Sequence, residues 1–169
     1  AALASRIPMA QDITAEADSG GHTDNRPALA LLPTFIALKN EAMATYNYER
    51  VLCVGLGGGI ATPESASAAF SMGAAYILTG SINQACVEAG ICEDVRKLLS
   101  QTEQADVAMA PSADMFEIGA RVQVLKRGTL FPVRAEKLYQ LYKNYNCFED
   151  LPPAAQKEIE DKFLLTSFD

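Results

Sequence analysis

The sequence predicts an α/β fold with a parallel sheet, and three observations carry that prediction. Two short, nearly continuous apolar runs, Arg50 to Gly55 (RVLCVG) and Ala75 to Thr79 (AYILT), have the composition of strands buried on both faces. Between them lies a helix start: Thr62 to cap, Pro63 in the first turn, and Glu64 near the positive helix end. Glycines close both runs, at Gly55 to Gly59 and at Gly80-Ser81.

The remaining elements follow in order. Asp12 to Ala17 reads as a first strand, bounded by Pro8 and by Ser19, Gly20 and Gly21. A helix is expected from Pro33 to Tyr46, because proline suits a first turn and Phe35, Leu38, Ala42 and Tyr46 recur at helical spacing. The helix after Thr62 should stop near Gly73. Strand and helix then alternate with short connections, which calls for parallel strands joined by right-handed crossovers. Beyond Ser81 the alternation is lost. Asn83 to Ala89 and Glu93 to Gln104 read as helices, as do Ser112 to Ile118 and Pro132 to Tyr145, the latter pair separated by RVQVLKRGTLF. A last amphipathic helix is expected from Pro153 to Leu164. The chain is thus expected to divide into residues 1–82, α/β, and residues 83–169, mostly helical.

The 169 residues suffice for one ordinary core, and 49% hydrophobic with 21% charged residues is a globular composition. A formal net charge of -7 argues against nucleic acid and against an anionic membrane surface as partners. No apolar run reaches the roughly 20 residues that span a bilayer. AALASRIPMAQDI lacks the charged-then-apolar order of a signal peptide, so a cytoplasmic protein is expected. Cys53, Cys86, Cys92 and Cys147 are scattered without a C-x-x-C pair, and His22 has no companion histidine. Buried, reduced thiols and no metal site follow as expectations.

Three loops follow predicted strands at the ends where α/β folds place ligands: EADSGGHTDN (16–25), GLGGGIAT (55–62) and GSIN (80–83). A glycine turn between strand and helix lets backbone N–H groups converge on an anion without Cβ obstruction. Two such turns on adjacent strands point to a shared phosphate at Gly57, Gly58, Gly59, Gly80 and Ser81. The dinucleotide pattern G-x-G-x-x-G fails at Ile60, and no Gly-Lys-Ser/Thr P-loop exists. The last strands of a β/α barrel are the better match. His22 is the candidate proton donor or acceptor, since imidazole titrates near neutrality. Glu16 reads equally as a buried acid or as a polar strand end. Tyr139, Tyr142, Tyr145 and Phe148, three apart, read as packing.

Glu-Ala-x-x-Gly-Gly-His at the end of a strand, then a Gly-Gly-Ile turn (58–60) and a Gly-Ser turn (80–81), resembles the FMN-dependent nitronate monooxygenase and enoyl reductase barrels. The runs EADSGGHTDNRP, LLP and LKRGTLFPVRAEKLYQLY resemble more specifically the PfaD family, the FMN-dependent enoyl reductases of polyunsaturated fatty acid synthases and trans-acyltransferase polyketide synthases. The resemblance covers nearly the whole chain. It implies the carboxyl-terminal part of a (β/α)8 TIM barrel, about three parallel strands, followed by a helical extension. It implies an FMN phosphate held by Gly57, Gly58, Gly59, Gly80 and Ser81, the flavin near Gly20 and Gly21, and catalytic His22 at its reacting face. NADPH or NADH would supply the hydride, and an enoyl thioester on an acyl carrier protein would receive it. Other synthase subunits, a second copy or a complementing chain are the implied partners. The basic residues Lys126, Arg127 and Arg134 read either as surface cations or as contacts to a second phosphate, such as that of NADPH or a phosphopantetheine arm. The alternatives are a nitronate-oxidising flavoenzyme and a non-catalytic binding or scaffold module. A complete barrel needs about 250 residues. The chain therefore reads as starting just before the sixth strand, and in isolation it is expected to be inactive.

Overall fold

The computed structural model describes residue 3 and residues 6–18 and 26–168. The chain forms two compact units, Ala1–Gln101 and Thr102–Asp169.

The first unit is built on β1 (Asp12–Glu16), β2 (Cys53–Gly57) and β3 (Ile77–Leu78), parallel strands in the order β1-β2-β3. The α/β class and the parallel sheet read from the sequence hold. β2 lies two residues further along than the expected end at Gly55, and it takes Gly57 into the ladder opposite Glu16 and Leu78. One face of the sheet carries Ala15, Val54 and Leu56, all buried, and packs on α1 (Ala28–Tyr46) and α2 (Pro63–Ser71) through Leu32 and Ala69. The small side chains of Ala15 and Ala69 let sheet and helix backbones come close. Complete burial of Leu32 contributes about 2 kcal/mol.

α1 begins five residues before Pro33, at Ala28, with Pro27 in the cap position. The proline that marks the start is Pro27, while Pro33 sits in the sixth helical position. The carbonyl that Pro33 leaves unpaired is that of Leu29, a residue 78% exposed, so water can satisfy it. The helix ends at Asn47, whose left-handed backbone (φ 47°) returns its N–H to the Met43 carbonyl.

α2 starts where its sequence signals place it. Thr62 Oγ1 accepts the Ser65 N–H at 3.2 Å, and Ser65 Oγ accepts the Thr62 N–H at 3.1 Å, a reciprocal capping box. Thr62→Ala is expected to cost about 1 kcal/mol in urea unfolding, and Thr62→Ser much less. Equal losses for the two variants would rule the cap out as the cause.

The unit closes with α3 (Ser81–Gln84) and α4 (Glu93–Ser100). α3 starts before and ends earlier than the helix expected over 83–89, and α4 stops short of Gln104 because a 3-10 turn (Gln104–Asp106) takes over.

The second unit adds a strand pair to the helices expected there. Val107–Pro111 (β4) and Arg121–Leu125 (β5) form an antiparallel pair, registered from Val107 opposite Leu125 to Pro111 opposite Arg121. Ser112 to Ile118 is not helical but part of the turn between them. It is closed by the Ser112 N–H donating to the Ala120 carbonyl at 2.8 Å, with Gly119 at φ 73°. Ladder bonds to β5 prevail over a helix whose first residues would be Ser112 and Asp114, both better suited to turns. At the base of the hairpin, Asp106 accepts the Glu103 N–H at 3.0 Å, which holds its carboxyl below the ordinary 3.8, with Arg127 adding to the effect at 3.3 Å.

α5 (Phe131–Asn144) and α6 (Pro153–Ile159), followed by a π-helical turn (Glu160–Leu164), match the expected helices. The aromatic set is packing, as read. Tyr139 and Tyr142 contact Phe116 at 5.3 and 5.5 Å between ring centres, and Phe148 stacks on Phe168 at 4.2 Å. No helix among the described residues is long and apolar enough to cross a membrane.

Candidate functional site

The site is set by strand register. Glu16, Gly57 and Leu78 stand side by side, so the chain leaves β1, β2 and β3 at one edge. Gly58 and Gly59 follow β2 with φ of +97° and +70°, a region that side chains other than glycine rarely occupy. A Cβ on Gly58 would stand 2.6 Å from the Ala17 carbonyl oxygen and 2.9 Å from that of Asp18. The turn after β2 is therefore pressed against the exit of β1. Gly59 and Gly80 are less crowded: among the described residues beyond their chain neighbours, a Cβ on Gly59 would come no nearer than 3.7 Å, and one on Gly80 would meet none within 4 Å.

Among the described residues, the N–H groups of Gly59, Gly80 and Ser81 donate to no backbone carbonyl outside the regular elements. Open amide donors on neighbouring strand ends, without a carboxylate side chain on either turn, suit an anion such as a phosphate monoester. The helix behind them contributes less than its dipole suggests. Ser65 Oγ already takes the N–H groups of Ala61 and Thr62, at 3.2 and 3.1 Å, and Thr62 Oγ1 takes that of Ser65. The glycine turns, rather than the first turn of α2, hold the donors left for a ligand.

A staple missed in the sequence secures the second turn. Asn83 Nδ2 donates to the Thr79 carbonyl at 2.9 Å, and Thr79 Oγ1 donates to Asn83 Oδ1 at 3.2 Å. The signal was the Thr-Gly-Ser-Ile-Asn spacing, which lets a side-chain amide close the loop around Gly80-Ser81.

Further down the sheet, Thr14 of β1 stands beside Gly55 of β2, and Tyr76 immediately precedes β3. The Tyr76 ring lies over Gly55, where a Cβ would stand 2.2 Å from the ring, and its hydroxyl meets Thr14 Oγ1 at 2.9 Å. A glycine in a central strand often marks such close approach, but which side chain arrives is not visible locally.

The structure thus brings Gly57, Gly58, Gly59, Gly80 and Ser81 to one edge, as read from the sequence. Gly20, Gly21 and His22 lie outside the described residues. On either side of them, Ala17 N–H donates to the Gly57 carbonyl at 2.9 Å and Asp18 N–H to the Arg26 carbonyl at 3.0 Å. Glu16 is exposed at the end of β1 and is not a buried acid. The basic residues take separate partners: Arg127 pairs with Asp106, while the Arg134 guanidinium lies 5.7 Å from the centre of the Phe163 ring. The four cysteines are free but not buried as expected: Cys53 is half-buried, and Cys86, Cys92 and Cys147 lie exposed on connections between helices, outside the core of the sheet. No group of three potential metal ligands occurs among the described residues.

Parallel strands with glycine turns at their shared end place the chain among α/β proteins. Comparison with known proteins narrows that class. No family model matches the chain. It is 50% identical over 163 residues to the polyketide biosynthesis protein PksE of Bacillus subtilis, covering 96% of this chain and 21% of that protein. It is 51% identical over 164 residues to one of the polyunsaturated fatty acid synthase subunits of Thraustochytrium sp., covering 96% of this chain and 11% of that one. The chain therefore spans only a minor part of the length of these relatives. The enoyl reductase domain of MlnA, from the macrolactin biosynthesis cluster of Bacillus amyloliquefaciens, superposes with a TM-score of 0.90 at 47% identity, over 97% of this chain and 37% of that chain. FabK from Thermotoga maritima shares the fold alone, with a TM-score of 0.56 and 22% identity. The likeness to PfaD-type enoyl reductases drawn from EADSGGHTDNRP therefore stands in sequence and in fold, and this chain is homologous to one portion of such proteins.

Proposed function

We propose that this chain is the FMN-phosphate-bearing portion of an enoyl reductase that works within a polyunsaturated fatty acid or polyketide synthase. The observation that carries the reading is the pair of glycine turns that leave β2 and β3 at adjoining strand ends. In this reading residues 1–82 carry the cofactor and residues 83–169 form an extension. The N–H groups of Gly58, Gly59, Gly80 and Ser81 hold the phosphate, and Gly57 places the first turn by accepting the Ala17 N–H. FMN held there would supply hydride transfer from NADPH or NADH to the β-carbon of an enoyl thioester. Gly20 and Gly21 would help to hold the flavin, and His22 would deliver a proton at the α-carbon. The substrate is borne by an acyl carrier protein, among other synthase subunits in the cytoplasm. The remaining flavin contacts come from outside this chain, from a longer polypeptide, a second copy or a complementing chain.

The test is reduction of a crotonyl thioester with NADPH by the full-length parent protein, followed by flavin absorbance. A yellow protein with thioester turnover is expected, and His22→Gln should lower kcat at least about a hundredfold with flavin retained. Turnover of nitronates without thioester reduction would overturn the reading in favour of nitronate oxidation. Absence of flavin under all conditions would leave a binding module.

A further inference from the structure

A groove of about 470 Å³ lies within the second unit, between the first turn of α5 and the π-helical turn after α6. That volume is within the range of small-molecule sites. Its apolar wall comes from Leu130, Val133 and Phe163, with Leu130 61% and Val133 72% exposed. Three cations line it, Arg134, Lys137 and Lys162, against two carboxylates, Glu158 and Asp161. Glu158 is shared: it pairs with Lys137 and lies 3.5 Å from Lys162. Among the described residues Arg134 has no carboxylate partner, and its guanidinium is held against the Phe163 ring. Within a chain of net charge -7, the groove keeps a single excess positive charge beside exposed apolar surface.

That balance selects among phosphate ligands. A dinucleotide carrying several phosphate charges would exceed the one unmatched cation and leave the apolar wall unused. A phosphodiester has one charge, and an uncharged arm attached to it would cover Leu130 and Val133. We propose that this groove receives the phosphopantetheine arm of the acyl carrier, with the phosphodiester against Arg134 and the arm along Leu130, Val133 and Phe163. The inference rests on the enoyl-thioester reading above and adds a docking point that the glycine site does not supply.

The probe is pantetheine 4′-(methyl phosphate), a diester with one negative charge, titrated by ligand-observed NMR against the 169-residue chain without flavin. Arg134→Ala is expected to weaken its binding about tenfold, the loss typical of one charge-assisted contact. Val133→Asp should abolish it, while Arg127→Ala, whose side chain is engaged with Asp106, should leave it unchanged. Both Arg134 and Val133 are exposed, so loss of fold does not confound the result. Unphosphorylated pantetheine binding as tightly as the diester would overturn the proposal. So would unchanged binding in Arg134→Ala, or displacement by NADPH or inorganic phosphate at lower concentration than the diester itself. Because no flavin is present, diester binding by a protein whose parent proves flavin-free would sink the reductase reading while leaving the groove.

Discussion

Gly58→Ala is expected to destabilise the first unit by about 3 kcal/mol, from two costs that add at one atom. The φ of +97° places an alanine in a region that costs about 1–2 kcal/mol for an L-residue. The new Cβ would also stand 2.6 Å from the Ala17 carbonyl oxygen and 2.9 Å from that of Asp18. Both are backbone atoms, so no side chain can rotate away, and relief requires moving the exit of β1. Neighbouring glycines separate the two costs. Gly59→Ala keeps the strain (φ +70°) but meets only a 3.7 Å contact, so a loss of about 1–2 kcal/mol is expected. Gly80→Ala has a φ of -118° and its Cβ meets none of the described residues beyond its chain neighbours within 4 Å, so its stability should stay within about 0.5 kcal/mol of the parent. Urea or guanidinium unfolding of the three variants reads the order directly. A Gly58→Ala protein as stable as Gly80→Ala would mean that the turn is not held against Ala17 and Asp18. The displacement also matters for function, because the chain runs on from Asp18 toward Gly20, Gly21 and His22.

Gly55→Ala comes second, at about 2–3 kcal/mol, and its cost depends on one other residue. The added methyl would overlap the Tyr76 ring at 2.2 to 2.5 Å, and the ring is tethered by its hydroxyl to Thr14 at 2.9 Å. Removing the ring should remove the conflict. In a Tyr76→Ala background, Gly55→Ala is expected to cost less than about 1 kcal/mol, a coupling of the size seen for side chains in direct contact. Tyr76→Phe gives the complementary case. It forfeits about 1 kcal/mol with the hydroxyl, yet leaves the ring in place, so Gly55→Ala should remain costly there. A Gly55→Ala penalty that is the same in all three backgrounds would show that the strand, rather than the ring, requires glycine.

Legibility in this sequence followed the range of the interaction. The start of α2 was readable because its cap closes over three residues, from Thr62 to Ser65. The start of α1 was misplaced because two prolines offered the same local signal, and only the burial of Leu32 and the packing of Ala28 and Leu31 against the sheet decide for Pro27. The β4–β5 pair was missed for a related reason. Val107 to Pro111 mixes alanine and methionine with valine, and its strand character comes from bonding to Arg121 to Leu125 rather than from its own composition.

The same division runs through the site. By itself the sequence determined the α/β class, the parallel order and the glycine turns after two strands, since buried apolar runs, caps and turn residues act within a few positions of one another. It also held the motif that relates the chain to enoyl reductases. Only the tertiary structure decided that Gly58 is pressed against β1 while Gly59 and Gly80 are less crowded, that Tyr76 reaches across Gly55 to Thr14, and that Arg134 parts from Arg127 to face a groove of its own. Those contacts join residues far apart in the chain, and their energies exist only once strand register and helix packing have brought the partners together.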